Sequence, residues 1–107
     1  GLNMGNTRVT LEAIEQSNLE VTQQDGQLWL EKKNKISKIS INSEVDAKIY
    51  IYTNLDELNV SARDTEIVVQ GELRRLSGTL SGRSLLVANG MDEVQLSKDK
   101  SSRIQLY

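Results

Sequence analysis

Pairs of aliphatic residues recur along this chain in two alternating series, each with a period of about 18 to 20 residues. In most pairs one polar residue separates the two apolar ones, which is the spacing of the buried face of a β-strand. A period of this size over a whole chain indicates that one supersecondary unit stacks on the next. The first series comprises Leu2/Met4, Leu19/Val21, Ile39/Ile41, Leu58/Val60, Leu76/Gly78 and Val94/Leu96. The second series comprises Val9/Leu11, Leu28/Leu30, Ile49/Ile51, Ile67/Val69, Leu85/Val87 and Ile104/Leu106.

Other positions repeat with the same period. A third apolar position lies three residues before the first pairs, at Ile36, Leu55, Leu73 and Met91, and one coil earlier at Ile14. Polar residues between the members of the first pairs should point outward: Glu20, Ser40, Asn59, Ser77 and Gln95. Residues that favour turns precede the second pairs by three positions: Asn6, Asp25, Asp46, Asp64, Gly82 and Ser101. Three inward positions per repeat predict a coil with two strands and a short third side.

These patterns predict an all-β fold, a single-stranded parallel β-solenoid (β-helix) of about six coils of 18–20 residues. We expect right-handed winding, because parallel crossovers strongly prefer that hand. A β-hairpin meander would not need two unequal connections repeated in the same order. Helix is disfavoured because the β-branched residues follow a period of two. No linker interrupts the pattern, so residues 1–107 are predicted to form one domain.

Composition excludes several classes of function. The chain has no histidine or cysteine, which rules out a Ser-His-Asp triad, a cysteine nucleophile paired with histidine and the usual zinc sites. The net charge of -2 provides no electrostatic footprint for nucleic acid. No run of 18 apolar residues is present, so we expect no membrane span. We therefore predict a protein that is not an enzyme, with no catalytic residues, cofactor or metal.

Two groups of acidic residues are candidate sites. Stacking of coils would bring Asp25, Asp46 and Asp64 close together, where Ca²⁺ could relieve their repulsion. The interpretation we favour is that each carboxylate caps its own turn by accepting backbone N–H bonds. The acidic pairs Asp56/Glu57 and Asp92/Glu93 could form a glycosidase pair, but their position between coils is more typical of a solvated corner. The Ser-Gly segment 76–82 is not followed by a helical pattern, so it is not a phosphate-binding loop, and we interpret it as a tight corner.

The outward position in the middle of the second strand is unusually apolar. It holds Thr10, Trp29, Tyr50, Val68, Leu86 and Gln105, with Tyr52 and Tyr107 one step along the strand. We predict an interaction stripe formed by Trp29, Tyr50, Tyr52, Val68 and Leu86. Three explanations stay open at this point. The side chains could stack across strands without a partner, pack against a second subunit or another domain, or bind sugar through the aromatic residues.

Several segments resemble the head-GIN-domain adhesin family of Bacteroidetes cell envelopes. Residues 55–60 read Leu-x-x-Leu-x-Val, and residues 67–71 read Ile-x-Val-x-Gly. The Ser-Gly segment 76–82 and the opening Gly-Asn-x-x-Val-x-Leu of residues 5–11 also fit. The resemblance implies a short or partial family member, with a β-solenoid fold, an envelope or exported location, and an adhesive role without catalytic residues. Its partner would be a protein or glycan at the cell surface.

Two alternatives to an adhesin remain. Bactofilins are short cytoplasmic β-solenoids that polymerise end to end, but their repeated Gly-Asp-Ile corners are absent here, and Lys98, Lys100 and Arg103 discourage stacking on the last coil. A carbohydrate-binding β-helix is the other alternative. Gly1 is typical of a residue left by tag cleavage, so we expect any native signal peptide to have been removed. A signal peptide in the native gene would favour the envelope, and its absence would favour the cytoplasmic scaffold.

Overall fold

The regular secondary structure in the described part of the protein is entirely β-strand. A computed structural model describes residues 2–3, 9–13, 20–24, 27–31, 36–44, 47–89 and 92–106. The strands are β1 (Leu2–Asn3), β2 (Val9–Ala13), β3 (Glu20–Gln24), β4 (Gln27–Glu31), β5 (Ile36–Ser43), β6 (Ala47–Tyr52), β7 (Leu55–Arg63), β8 (Thr65–Ser81), β9 (Leu85–Asn89), β10 (Glu93–Lys98) and β11 (Arg103–Leu106).

The parallel strands form two facing sheets wound from successive coils. Sheet A contains β5, β7, the second part of β8 and β10, all in parallel register. Sheet B contains β4, β6, the first part of β8, β9 and β11, which are parallel as well. Strand β8 belongs to both sheets because it turns the corner near Gly71 without losing strand pairing. The predicted all-β parallel solenoid is thereby confirmed.

The number of coils differs from the prediction. The solenoid has about four turns, whereas the period of the sequence predicted about six. The difference lies at the N-terminal end, where β1 pairs antiparallel with β2 and β2 pairs antiparallel with β5 in sheet A. Strand β3 pairs antiparallel with β4 in sheet B. These strands cover the first parallel coil, and an end cap of this kind protects the strand edges of a solenoid.

A hairpin explains the change of direction. Gln24 of β3 pairs with Gln27 of β4, so only Asp25 and Gly26 separate the two strands, and these two lie outside the described residues. An Asp-Gly dipeptide between two strands is a strong hairpin signal. The repeat interpretation assigned Asp25 to a solenoid corner and Leu19/Val21 to the first sheet. For Val21 the assignment is wrong, because Val21 pairs with Leu30 in sheet B, whereas Leu19 and Asp25 lie outside the described residues.

The core is a set of aliphatic ladders between the two sheets. As predicted, Ile49, Ile51, Ile67 and Val69 are fully buried, each with 0% exposure. The third apolar position is confirmed at Leu55 and Leu73, which are buried and in register across β7 and β8. Met91 and Ile14 lie outside the described residues. The other buried aliphatic residues in the described part of the chain are Leu30, Ile39, Ile41, Ala47, Leu58, Val60, Ala62, Leu76, Leu80, Leu86 and Ala88.

Buried hydroxyl groups line one corner of the core. The Ser43 and Thr65 hydroxyl oxygens lie 2.7 Å apart, and Thr65 also donates to the carbonyl of Arg63. Ser84 accepts the backbone N–H of Thr65 and donates to the carbonyl of Ser81. Since a buried polar group without a partner is costly, these bonds hold the corner in one arrangement.

This corner also corrects the register of β9. Leu85 and Val87 were predicted to point inward, but they are half-buried on the outside, and Leu86 and Ala88 are buried instead. Leu86 pairs with Ile67 of the core, which places Ser84 beside Thr65. The run Leu85–Ala88 permits either alternation, and the hydrogen-bonded Ser84 selects the one with Leu86 inside.

Candidate interaction surface

The predicted interaction stripe lies on the outer face of sheet B for most of its length. Trp29, Tyr50 and Val68 are neighbours in register on β4, β6 and β8. All three are partly exposed, and the residues on either side of Tyr50 and Val68 along each strand point into the core. Tyr52 lies two residues beyond Tyr50 on the same face, beside Glu31.

Leu86 does not belong to this surface. It is fully buried, because the alternation of β9 is shifted by one residue relative to the prediction. Val87 pairs with Val68 and therefore occupies the next outward position. We define the outer stripe as Trp29, Tyr50, Tyr52, Val68 and Val87.

The three aromatic rings of the outer stripe form one stack. The ring centroids of Trp29 and Tyr50 are 4.2 Å apart, with 17° between the ring planes. The indole also stacks on Tyr52 at 5.6 Å and 8°, and the two phenol rings are 6.5 Å apart. The indole therefore lies across both phenols, and this contact covers one face of each ring. Cross-strand stacking, one of the three predicted explanations, is present.

The environment of Tyr52 is partly desolvated and negative. Burial raises the pKa of the Tyr52 phenol above its ordinary value, and the neighbouring Tyr50 and Glu31 raise it further. Burial disfavours the phenolate, and so does each nearby group that carries negative charge. At neutral pH the hydroxyl is protonated, as an ordinary phenol is, and it can donate a hydrogen bond to a partner.

Charged residues border the outer stripe. In the neighbouring column of sheet B, Lys48 pairs with Glu66 at 4.0 Å. Leu85 and Arg103 continue this column on β9 and β11. An apolar centre with a charged border is the usual anatomy of a protein interface.

Of the three aspartates predicted to stack at the corner, Asp64 is described, and its carboxylate accepts a backbone hydrogen bond. Asp64 has a positive φ of 52°, and its Oδ1 accepts the backbone N–H of Arg83 in the next coil. The carboxylate therefore joins two coils, whereas the prediction had it capping its own turn. Asp25 and Asp46 lie outside the described residues. In the part of the chain that is described, no three acidic residues come together in a way that could hold a metal ion.

Asp99 also joins two coils, but it accepts a hydrogen bond from the preceding coil. Its Oδ2 accepts the backbone N–H of Gly82, which has a positive φ of 63° at the corner. Its Oδ1 accepts hydrogen bonds from the hydroxyls and backbone N–H groups of Ser101 and Ser102. The Ser102 hydroxyl and these other donors lower the pKa of the Asp99 carboxyl. Asp99 was not among the predicted corner residues, although an Asp followed closely by two serines is a recognisable signal for an Asx turn.

One acid of each pair at the other corner forms an ion pair with a basic residue. Glu57 lies 3.6 Å from Lys38, and Asp92 lies 3.4 Å from Arg74. Both pairs are largely exposed, so each contributes little to stability. Their role in this arrangement is to balance charge between adjacent coils.

The outer face of sheet A is polar, as predicted. Ser40, Asn59, Ser77 and Gln95 lie in register across four strands. The Asn59 side-chain amide donates to the Ser77 hydroxyl at 2.9 Å. Glu20 was predicted to extend this column, but β3 belongs to sheet B, where Glu20 pairs with Glu31.

Among the described residues, no helix is long and apolar enough to cross a membrane. Comparisons of the chain with family models, with curated proteins and with solved structures found no match.

Proposed function

We propose that this protein is a noncatalytic interaction module of the head-GIN adhesin type, located at the cell envelope or outside the cell. The observation that carries the proposal is the outer stripe. Three stacked aromatic rings and two valines form one continuous apolar column on sheet B. A patch of this kind on a soluble protein is typical of a contact surface.

The rigidity of the stripe favours binding. The residues before and after Tyr50 and Val68 are anchored in the core, and the aromatic side chains hold one another by stacking. A partner therefore binds side chains that have already lost most of their rotational freedom, which lowers the entropic cost of association. Tryptophan and tyrosine are also the residues that most often dominate interface energetics.

The stacking geometry favours a protein partner over a sugar on this surface. A sugar ring packs on an open face of an aromatic side chain, and stacking reduces the open ring area that Trp29, Tyr50 and Tyr52 can offer. The valines at Val68 and Val87 have no hydrogen-bonding side-chain groups to offer to sugar hydroxyls. The partner we propose is an apolar protein surface, either a second copy of the chain or another domain.

The test substitutes Trp29 with glutamate, which introduces a charge at the centre of the stack. Light scattering should show an associated wild-type protein at high concentration and a monomeric Trp29→Glu variant, with circular dichroism spectra that match. Gln27→Glu is the matched control, since it adds the same charge to the outer face of the same strand. A wild type that is monomeric at high concentration, with the fluorescence of a fully water-exposed indole, would refute association through the stripe.

End-to-end self-assembly is a second candidate. At the C-terminal end of the described solenoid, Val94 is 46% exposed and Leu106 is 59% exposed, so apolar ladders reach solvent there. Lys98 opposes the stacking of a second molecule on this end. It pairs with Leu80, whose side chain points inward, and its ammonium group donates to the Ser102 carbonyl. Inward-pointing charges are a known protection of strand edges. Filaments in electron micrographs that disappear in Val94→Lys would favour this scaffold function.

A further inference from the structure

The outer face of sheet A carries a second surface of unusual composition, which we call the polar strip. Eight outward residues form two adjacent columns across β5, β7, β8 and β10. The columns comprise Ser40, Asn59, Ser77 and Gln95, and Asn42, Ser61, Thr79 and Ser97. Every one of these residues is uncharged and polar, and each is either half-buried or exposed.

The absence of charge in the polar strip is not a consequence of composition. The chain has 13 lysine and arginine residues and 15 aspartate and glutamate residues, and most described ones are exposed. On sheet A they border the strip instead. The column on one side holds Lys38, Glu57, Arg75 and Glu93 in alternating sign. The Lys38–Glu57 pair at 3.6 Å shows that these border charges compensate one another.

We infer that the polar strip binds a neutral, hydroxyl-rich polymer, an uncharged polysaccharide. Hydroxyl and amide side chains both donate and accept hydrogen bonds, as sugar hydroxyls do. A charged side chain would lose hydration that a neutral ligand cannot replace. A strip without charges therefore suits a ligand without charges.

The geometry of the strip suits a polymer. Parallel pairing repeats each column at about 4.8 Å per strand, so the donors and acceptors form a regular array. Short side chains on a rigid sheet lose little rotational freedom on binding. Individual contacts are weak, but a chain that engages several coils at once gains from multivalency.

The experiment is affinity electrophoresis of the native protein in gels containing hydroxyethyl cellulose, laminarin or polygalacturonate. We expect at least one of the two neutral polysaccharides to retard the protein, and the anionic polygalacturonate to leave its mobility unchanged. In the double variant Ser61→Lys/Thr79→Lys the dissociation constant should rise about tenfold, as expected when polar groups at a contact lose their partners. Mobility is compared with that of the same variant in a gel without polysaccharide.

The control variant Gln70→Lys/Gln105→Lys adds two lysines to exposed residues of strands in sheet B, and it should bind as the wild type does. Failure of both neutral polysaccharides to retard the protein overturns the inference, as does equal retardation by polygalacturonate or an unchanged double variant. The Trp29→Glu variant separates this surface from the outer stripe. It should retain polysaccharide binding, and a loss restricted to Trp29→Glu would assign the glycan to sheet B and overturn the inference.

Discussion

The two sheets share one core, but their outer faces differ in chemistry. Sheet B presents stacked aromatic rings and valines, whereas the polar strip of sheet A presents hydroxyls and amides without charge beside a charged column. Inside, both sheets contribute aliphatic ladders that are almost completely buried. A β-strand sends alternate side chains to opposite faces, so the inner and outer sets can vary independently. The fold therefore needs only the inner set, and the outer faces are available for binding.

The largest expected effect tests whether the two inner faces are equivalent. Ile67 of sheet B and Leu76 of sheet A are 0% and 1% exposed. We expect Ile67→Ala and Leu76→Ala each to lower the free energy of unfolding by about 2–5 kcal/mol, because each leaves a cavity in the same core. Urea denaturation followed by circular dichroism measures both. A much smaller loss for either variant would show that one sheet dominates the core.

A matched pair on β8 compares the inside of the molecule with the outside. Thr65 is buried and bonded to Ser43, whereas Thr79 is exposed on the polar strip. Thr65→Val should cost about 1–3 kcal/mol, since it removes hydrogen bonds from a buried corner. The same change at Thr79 should stay within about 0.5 kcal/mol. Equal costs in denaturant melts would contradict the role assigned to the hydroxyl corner.

The outer faces should differ in their contribution to stability. Tyr50→Ala removes ring stacking with Trp29 and should cost about 1–2 kcal/mol, within the range for aromatic pairs and lost apolar area. Asn59→Ala removes a part-exposed hydrogen bond to Ser77 and should cost about 0.5 kcal/mol. Thermal melts of the two variants in the same buffer compare these effects. If Asn59→Ala lowers the free energy of unfolding as much as Tyr50→Ala does, the two outer faces do not differ in their contribution to stability.

Alkaline titration tests the desolvated end of the outer stripe. Because the pKa of Tyr52 is raised in the folded state, its contribution to stability is present below the ordinary pKa of about 10 and is lost as pH rises through the folded pKa. We expect wild type to lose stability faster than Tyr52→Phe above that pH, and the two to run in parallel below it. Parallel curves at all pH values would show that Tyr52 ionises as an exposed phenol does.

The smallest effect is expected at the corner between the two sheets. Ca²⁺ at millimolar concentration should leave the melting temperature unchanged, because the Asp64 carboxylate accepts the N–H of Arg83. Asp64→Asn serves as the matched control. Stabilisation by Ca²⁺ in the wild type that disappears in Asp64→Asn would establish a cation site.

Much of the fold could be predicted from alternation alone. Period-two pairs such as Ile49/Ile51 and Ile67/Val69 identified the strands and the buried faces. The outward polar column of Ser40, Asn59 and Ser77 followed from the same pattern. These predictions succeeded because a strand alternates its side chains wherever it lies in a sheet, so its local sequence is sufficient.

The N-terminal strands and β9 needed more than the local pattern. An alternating strand fits a parallel or an antiparallel neighbour equally well, so the period could not reveal that β2 and β3 run antiparallel. In β9, the apolar run Leu85–Ala88 satisfies both alternations, and the choice depends on Ser84 bonding to a neighbouring coil. This one-residue difference from the predicted alternation places Leu86 in the core and Val87 on the outer stripe.

The sequence by itself therefore determined an all-β solenoid with an aliphatic core and an apolar position on the outer face of the second strand. Only the tertiary structure decided the direction of the N-terminal strands, the number of coils, the stacking of Trp29 on both tyrosines and the continuity of the polar strip. The physical reason is that alternation is local to one strand. The register of β9 and the aromatic stacking are set by contacts between residues about one coil apart. The period alone does not give strand direction, for which Asp25-Gly26 is a separate local hairpin signal.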